Sequence, residues 1–338
     1  MTQGFDPAAA TAAYLATVPP AVHARAEAYT QGGHWLLLWG ALVSLAAAWL
    51  ILRSGVLGRL RDRLQRRGQR PWRAVAAAVG VFLAADFVLE LPWTAYAHWW
   101  RERSYGLSGQ AFGGWFSDQL VSLAVDGVLL IVLMELLYLL IRRAPRSWWV
   151  WGAGVTAAFI VAVFVLQPLY IEPLFNTYRA APPGPVREAV EAMARANGVP
   201  SDKIYVYNGS RQSNRYTANV SGLFGTARIA MSDTMFRQGV DVGEVRAVVG
   251  HEMGHYVMNH AIRASLLFSA LALAAFFLVD RLFPLAARLA GARGVAGIAD
   301  PAGYPVIVML FAVLGLLATP LVNTISRATE DEADSFSL

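Results

Sequence analysis

His251-Glu252-Met253-Gly254-His255 sets two imidazoles four residues apart, with a carboxylate beside the first. On an α-helix, residues at i and i+4 share a face, so both rings can reach one zinc ion. Zinc draws the pKa of a bound water down to about 7, and the adjacent Glu252 is placed to take its proton as general base. Two histidines are too few for a catalytic site, which normally has three protein ligands and one open position. The chain has no cysteine, so the third ligand must be histidine or carboxylate. The best candidates lie in residues 326–334, where Glu330 and Asp334 are four apart and share a helix face. One can bind zinc while the other holds a ligand imidazole in place. His260 lies nine residues after His251, about half a turn around a continuous helix, and reads as a packing or interface residue.

The elements that must position these groups are largely apolar. The 338 residues are 56% hydrophobic with a mean hydropathy of +0.43, too apolar for an ordinary soluble chain of this length. Six runs approach the roughly 20 residues that cross a bilayer as helix: 35–52, 74–93, 120–141, 148–169, 264–283 and 305–322. Tryptophans gather at predicted ends (Trp93, Trp99, Trp100, Trp148 and Trp149), as expected at a water–lipid boundary. Asp86, Glu90, Asp126 and Glu135 fall inside the second and third runs, where carboxylates are costly and face protein or water. Such acids also suit an ion or solute transporter, a class that leaves the two zinc elements unexplained. Residues 1–33 lack the basic start and apolar core of a cleavable signal, and read as a polar, alanine-rich leader, helical in part. Two spans separate His255 from Glu330, an even number, so both return to the same side of the membrane.

The one substantial soluble segment is 170–261. It shows a helical pattern over 186–197 closed by Gly198, strand-like stretches at 203–207 and 227–231, and a helix over 242–260 carrying the histidines. Gly254 inside that helix costs about 1 kcal/mol relative to alanine and implies a close approach by a neighbour or a substrate. An exposed strand edge at 219–223 would accept an extended peptide through main-chain hydrogen bonds. Asn214 is a candidate to hold a substrate carbonyl, although asparagine also forms turns.

Net charge is +5, and its basic part is concentrated in loops: eight arginines lie between Arg53 and Arg73, followed by Arg142, Arg143 and Arg146. Arginine clusters also bind nucleic-acid phosphate, but short basic loops between spans read as contacts with anionic lipid headgroups. No nucleic-acid partner is expected. Loop charge puts these arginines on the cytoplasmic side and, with six spans, the zinc segment on the other.

The sequence resembles the type 1 CAAX prenyl proteases, membrane zinc metallopeptidases related to the HtpX-like quality-control proteases. The likeness is carried by residues 13–20, Leu91-Pro92-Trp93, Pro173-Leu174-Phe175-Asn176, Ser213-Asn214-Arg215-Tyr216, Gly222-Leu223-Phe224 and residues 228–234, besides the histidine motif and Ser326-Arg327…Glu330…Ala333-Asp334. It implies His251, His255 and Glu330 as ligands of one zinc ion per chain, Glu252 as general base, Asp334 behind a ligand and Asn214 on the substrate side. It also implies a water-filled chamber enclosed by the spans and a catalytic segment facing the cytosol, against the loop charges. The orientation stays open; one re-entrant span would remove the conflict. Family members continue past the position of Leu338 with a histidine-proline motif, and the C-terminal helix is read as short and truncated.

The expected fold is mainly α: a polytopic six-span transmembrane helix bundle with a small α+β zincin-like metalloprotease domain. Its parts are a leader (1–33), spans one to four (34–169), the catalytic segment (170–261), spans five and six (262–322) and a ligand-bearing C-terminal helix (323–338). The expected function is zinc-dependent endoproteolysis of the gluzincin type, on membrane-associated or prenylated peptides and proteins, in a bacterial inner membrane. The arginine-rich, lysine-poor composition fits a high-GC genome. The alternatives are a quality-control protease and a catalytically impaired zinc-binding scaffold.

Overall fold

The computed structural model describes residues 7–66, 68, 70–222 and 227–337. After a short helix α1 (Pro7–Leu15), helix α2 (Pro20–Ser54) runs unbroken through the first apolar stretch. Pro20 starts it at the one position where a missing N–H costs nothing, and Gly55 ends it in the left-handed conformation at φ 67°. The second half of the expected leader is therefore the start of the first span helix. Then come the amphipathic α3 (Val56–Arg66), α4 (Pro71–Ser104), α5 (Phe112–Arg143) and α6 (Trp148–Phe175). Helices α9 (His260–Leu289) and α10 (Tyr304–Ser337) follow the soluble segment. Among the described residues six helices are long and apolar enough to cross a membrane, and the chain is an integral multi-pass membrane protein.

Each spanning helix packs on the next in sequence, and α10 returns to pack on α2, closing a ring. One end of the ring is filled by Val75, Phe82, Tyr138, Tyr304 and Ile307, with the Phe82 and Tyr304 rings edge-on at 5.0 Å. Further along, Asp86, Glu90 and Asp126 line a cavity of about 250 Å³ between α4 and α5. Leu317, Leu266 and Val88 are exposed on the outer surface, as lipid-facing side chains are. Trp148 departs from the expected interfacial position: it is buried, and its indole donates to Asp280 Oδ1 at 2.7 Å. A partner carboxylate on the neighbouring helix outweighs the indole's preference for the lipid boundary.

The soluble segment is a second, smaller core. Strands β1 (Tyr178–Ala180), β2 (Ile204–Tyr207), β3 (Ala218–Ser221) and β4 (Arg228–Ser232) form a mixed sheet in the order β1-β2-β4-β3. Helices α7 (Pro185–Ala196) and α8 (Val242–Val257) pack with it around Val190, Ile229, Met231, Val245, Val249 and Met253, all fully buried. Full burial of each such side chain contributes about 1.5–3 kcal/mol. The three-residue β1 carries no alternation long enough to mark it in the sequence. Strand β3 sits at the sheet edge, with one side of its backbone unpaired by the sheet. It covers most of the edge expected at 219–223; Leu223 lies outside the described residues.

Several polar contacts tie this segment to the bundle. Arg228 pairs with Glu172 at 2.5 Å and lies over the Tyr178 ring, joining β4 to the end of α6. Around residue 212, Ser108 Oγ donates to Gln212 O at 2.6 Å, and Arg211 pairs with Asp118 at 3.0 Å. The sheet therefore rests on the ends of α4, α5 and α6.

Candidate metal centre

Helix α8 begins at Asp241, whose carboxylate accepts from Gly243 N at 2.7 Å and satisfies one of the free N–H groups of the first turn. Its buried face (Val245, Val249, Met253) fixes the rotation of the helix and so turns His251 and His255 toward α10. Two glycines let α10 come close. A Cβ on Gly254 would meet Ala333 Cα and Phe336 Cβ at 3.2 Å, and one on Gly250 would meet Ser337 Cβ at 3.3 Å. The Gly254 position is thus occupied by a neighbouring helix, which accounts for glycine inside an otherwise regular helix.

Helix α10 brings Glu330 across. It is not a short C-terminal helix: span and ligand-bearing turn are one helix of 34 residues, because no breaker follows Pro320 and its last turns pack on α8. Glu330 Oε2 lies 3.2 Å from His251 Nε2 and 3.7 Å from His255 Nε2, and the two Nε2 atoms are 3.0 Å apart. One donor atom from each of the three residues falls within 4.8 Å of the others. Two imidazoles and a carboxylate with converging lone pairs form a donor set that fits zinc.

The outer nitrogens are held as well. His251 Nδ1 is 2.8 Å from Asp334 Oδ1, one turn beyond Glu330. His255 Nδ1 is 2.8 Å from His260 Nδ1, and His260 Nε2 is 3.0 Å from Glu332 Oε2. Arg263 Nη1 donates to the same oxygen at 2.5 Å. A carboxylate only accepts, so His260 Nε2 carries the proton that faces Glu332. With that proton on Nε2, His260 Nδ1 is placed to accept from His255 Nδ1, which leaves the His255 Nε2 lone pair turned toward Glu330.

The sequence reading assigns His260 to packing and gives Glu332 no role, whereas the structure brings both to the site. Extending α8 to residue 260 put His260 on the wrong side; in the structure α8 ends at Val257, and Asn259 adopts the left-handed conformation at φ 56°. Asparagine tolerates that region, and the reversal starts α9 at His260 with its ring aimed back at His255. Asn259-His260 five residues past the second histidine was the available signal.

Glu252 is partly buried beside His251. Loss of hydration pushes its carboxyl up to about 7, with His251 opposing and Glu330 adding to the rise. Burial lowers the His255 pKa, which favours the neutral, ligating form. Next to His255 runs a cleft of about 650 Å³, lined by Asn219, Val220, Ser221 and Gly222 on one side and by Phe164 and Ile262 on the other. Asn214 stands apart from this cleft: its amide donates to Gly106 O at 3.1 Å, and its N–H to Leu107 O at 2.9 Å.

A ring of membrane helices carrying a small mixed sheet and a histidine–carboxylate triad at one end defines a membrane-embedded metalloprotease. Residues 8–177 match the family described as "CAAX prenyl protease N-terminal, five membrane helices", and residues 181–338 match "Peptidase family M48". The chain belongs to this family of CAAX prenyl protease-type metallopeptidases. It is similar to an uncharacterized metalloprotease, YhfN, of Bacillus subtilis, at 28% identity over 94% of this chain and 75% of that one. It is also similar to a CAAX prenyl protease 1 homolog of Dictyostelium discoideum, at 28% identity over 78% of this chain and 61% of that one. The crystal structure of S. mikatae Ste24p shares the fold, with a TM-score of 0.65 and 24% identity over 78% of this chain and 65% of that chain. The chain thus spans from about three fifths to three quarters of the length of these relatives.

Proposed function

We propose that this chain is a zinc-dependent endopeptidase that cleaves membrane-associated peptides, including prenylated ones. The observation that carries the reading is the convergence of His251 Nε2, His255 Nε2 and Glu330 Oε2 beside a cleft with an open strand edge. His251, His255 and Glu330 would hold a zinc ion, which when bound would supply Lewis acidity to a peptide carbonyl and lower the pKa of a nearby water. Everything else is done by the protein. Glu252, with a pKa brought near neutrality, takes a proton from the attacking water and returns it to the departing amine. Asp334 and the His260–Glu332 pair hold His251 and His255 in the ligating orientation. Strand β3 pairs with an extended peptide through its free main-chain groups, which accept many side-chain sequences. Asn214 contributes to substrate binding only when its amide leaves Gly106 O.

The similarity to a protein named as a CAAX prenyl protease 1 homolog supports a lipidated substrate, as does the position of the cleft against the ends of α6 and α9 at the membrane boundary. The test is cleavage of a farnesylated C-a-a-X peptide and its unprenylated twin by the purified chain in detergent. Cleavage with a preference of at least about tenfold in kcat/KM for the lipidated peptide is expected. Equal cleavage of both would reassign the enzyme to general membrane-protein turnover, and no cleavage by metal-loaded protein would reduce it to a scaffold.

A further inference from the structure

Helix α2 and the last turns of α4 enclose a second cleft, of about 750 Å³, away from the metal centre. Trp35 and Trp39 form its wall on α2. Trp93, Tyr96 and Trp100 form its wall on α4, with the Tyr96 and Trp100 rings stacked at 5.4 Å. The α2 wall continues a face that is exposed at Leu42, Trp49 and Leu50 and turned away from the buried Ala47, Ala48 and Ile51. The cleft therefore opens outward to lipid. Its α4 wall includes Ala95–Trp100, wound as a π-helical turn, a rare form that gathers at functional sites.

One end of this cleft is cationic, lined by Arg25, Arg101 and Ser104. Arg25 is exposed and donates to Ser104 O at 2.8 Å. Arg101 is only 7% exposed, yet among the described residues it pairs with no carboxylate. One of its N–H groups donates to Tyr29 O, and its guanidinium lies over the Tyr29 ring at 4.0 Å. The adjacent Glu102 is engaged elsewhere: it accepts from the Tyr29 hydroxyl and pairs with Arg215 Nη1 at 3.0 Å. A buried cation is costly without an anion beside it. Because Arg215 belongs to the soluble segment, these contacts also put the charged end of the cleft at the end of the ring that carries the sheet.

The depth of the cleft matches one lipid. Fourteen residues of the unbroken α2 separate Arg25 from Trp39, about 21 Å at 1.5 Å per residue. One leaflet with its headgroup is about 20–22 Å deep. We propose that this cleft binds a single anionic phospholipid, with its phosphate on Arg25 and Arg101 and an acyl chain along the tryptophans. The planar guanidinium donates to two phosphate oxygens at once. Two such cations at one phosphate disfavour a headgroup that brings a further positive charge, as choline does. The site goes beyond the proteolytic reading, and its occupancy is read without cleavage, so failure of one is distinguishable from failure of the other.

Native mass spectrometry of the full chain in detergent, with dioleoyl phosphatidylglycerol or dioleoyl phosphatidylcholine added, tests it. One phosphatidylglycerol per chain should bind about ten times more tightly than phosphatidylcholine, and Arg25→Gln should weaken it about tenfold. Arg101→Gln should do the same. Since Arg101 also packs on Tyr29, the exposed Arg25 and Trp39 carry the test free of any folding defect. Trp39→Ala should weaken both lipids severalfold and keep the preference for phosphatidylglycerol. Arg63→Gln with Arg66→Gln, exposed on α3, should leave binding unchanged. Equal binding of the two lipids, unchanged binding in Arg25→Gln, or an equal loss in the α3 variant overturns the proposal. Glycerol 3-phosphate should not compete at the same concentration; competition would make this a site for free phosphate and overturn the lipid assignment.

Discussion

Replacing His260 by leucine removes the acceptor that faces His255 Nδ1 at 2.8 Å among the described residues, without opening a large void. His260 is 5% exposed, so water cannot readily take its place. Leaving a buried N–H without a partner costs about 1–3 kcal/mol. The same figure follows from metal chemistry, because loss of a group that orients a ligand imidazole lowers metal affinity about 10–100-fold, and tenfold is about 1.4 kcal/mol. His260→Leu should therefore weaken zinc binding by one to two orders of magnitude while the helical circular dichroism is retained. His260→Gln, whose amide oxygen can accept from His255, should recover part of the loss. Chelator competition on purified metal-free protein measures this. Affinity within twofold of wild type in His260→Leu refutes the chain of contacts from Glu332 to the metal position.

Gly254→Leu places a side chain where Ala333 and Phe336 lie 3.2 Å from the would-be Cβ. It should cost about 1–3 kcal/mol by overpacking and, by pushing α10 away, also lower metal affinity; thermal unfolding with chelator competition checks both, and unchanged affinity speaks against Gly254 as the approach point. In metal-free protein, folding raises the Glu252 pKa from 4.5 to about 7, so the native state keeps a proton that the unfolded chain has released. That contribution is full below about pH 4.5 and is lost as pH rises through about 7. Glu252→Gln should flatten this decline in denaturant titrations, and parallel profiles would contradict it. Asn214→Ala should leave metal affinity unchanged and lower peptide kcat/KM about tenfold, the worth of one good hydrogen bond; unchanged kcat/KM would leave the amide's bond to Gly106 O as its role.

The sequence made the six apolar helices and the triad legible for a simple physical reason. Helical spacing fixes which residues share a face, and an even number of crossings returns Glu330 to the side of His255. Gly254 announced a close approach because glycine inside a helix is otherwise unfavourable. What stayed hidden depended on single backbone events. The left-handed Asn259 ends α8 three residues early and turns His260 from a distant face into the neighbour of His255. Trp148 looked interfacial by position alone, since its hydrogen bond to Asp280 joins helices 132 residues apart in sequence.

The central claim is that His251, His255 and Glu330 hold a zinc ion on which Glu252-dependent peptide cleavage relies. Zinc content and cleavage of a membrane-associated peptide, measured side by side in wild type and Glu252→Gln, test it most directly. The account predicts about one zinc per chain in both proteins, with cleavage in the variant reduced by a factor of about 10² or more. Wild-type cleavage rates in Glu252→Gln, or active protein that carries no metal, would contradict it.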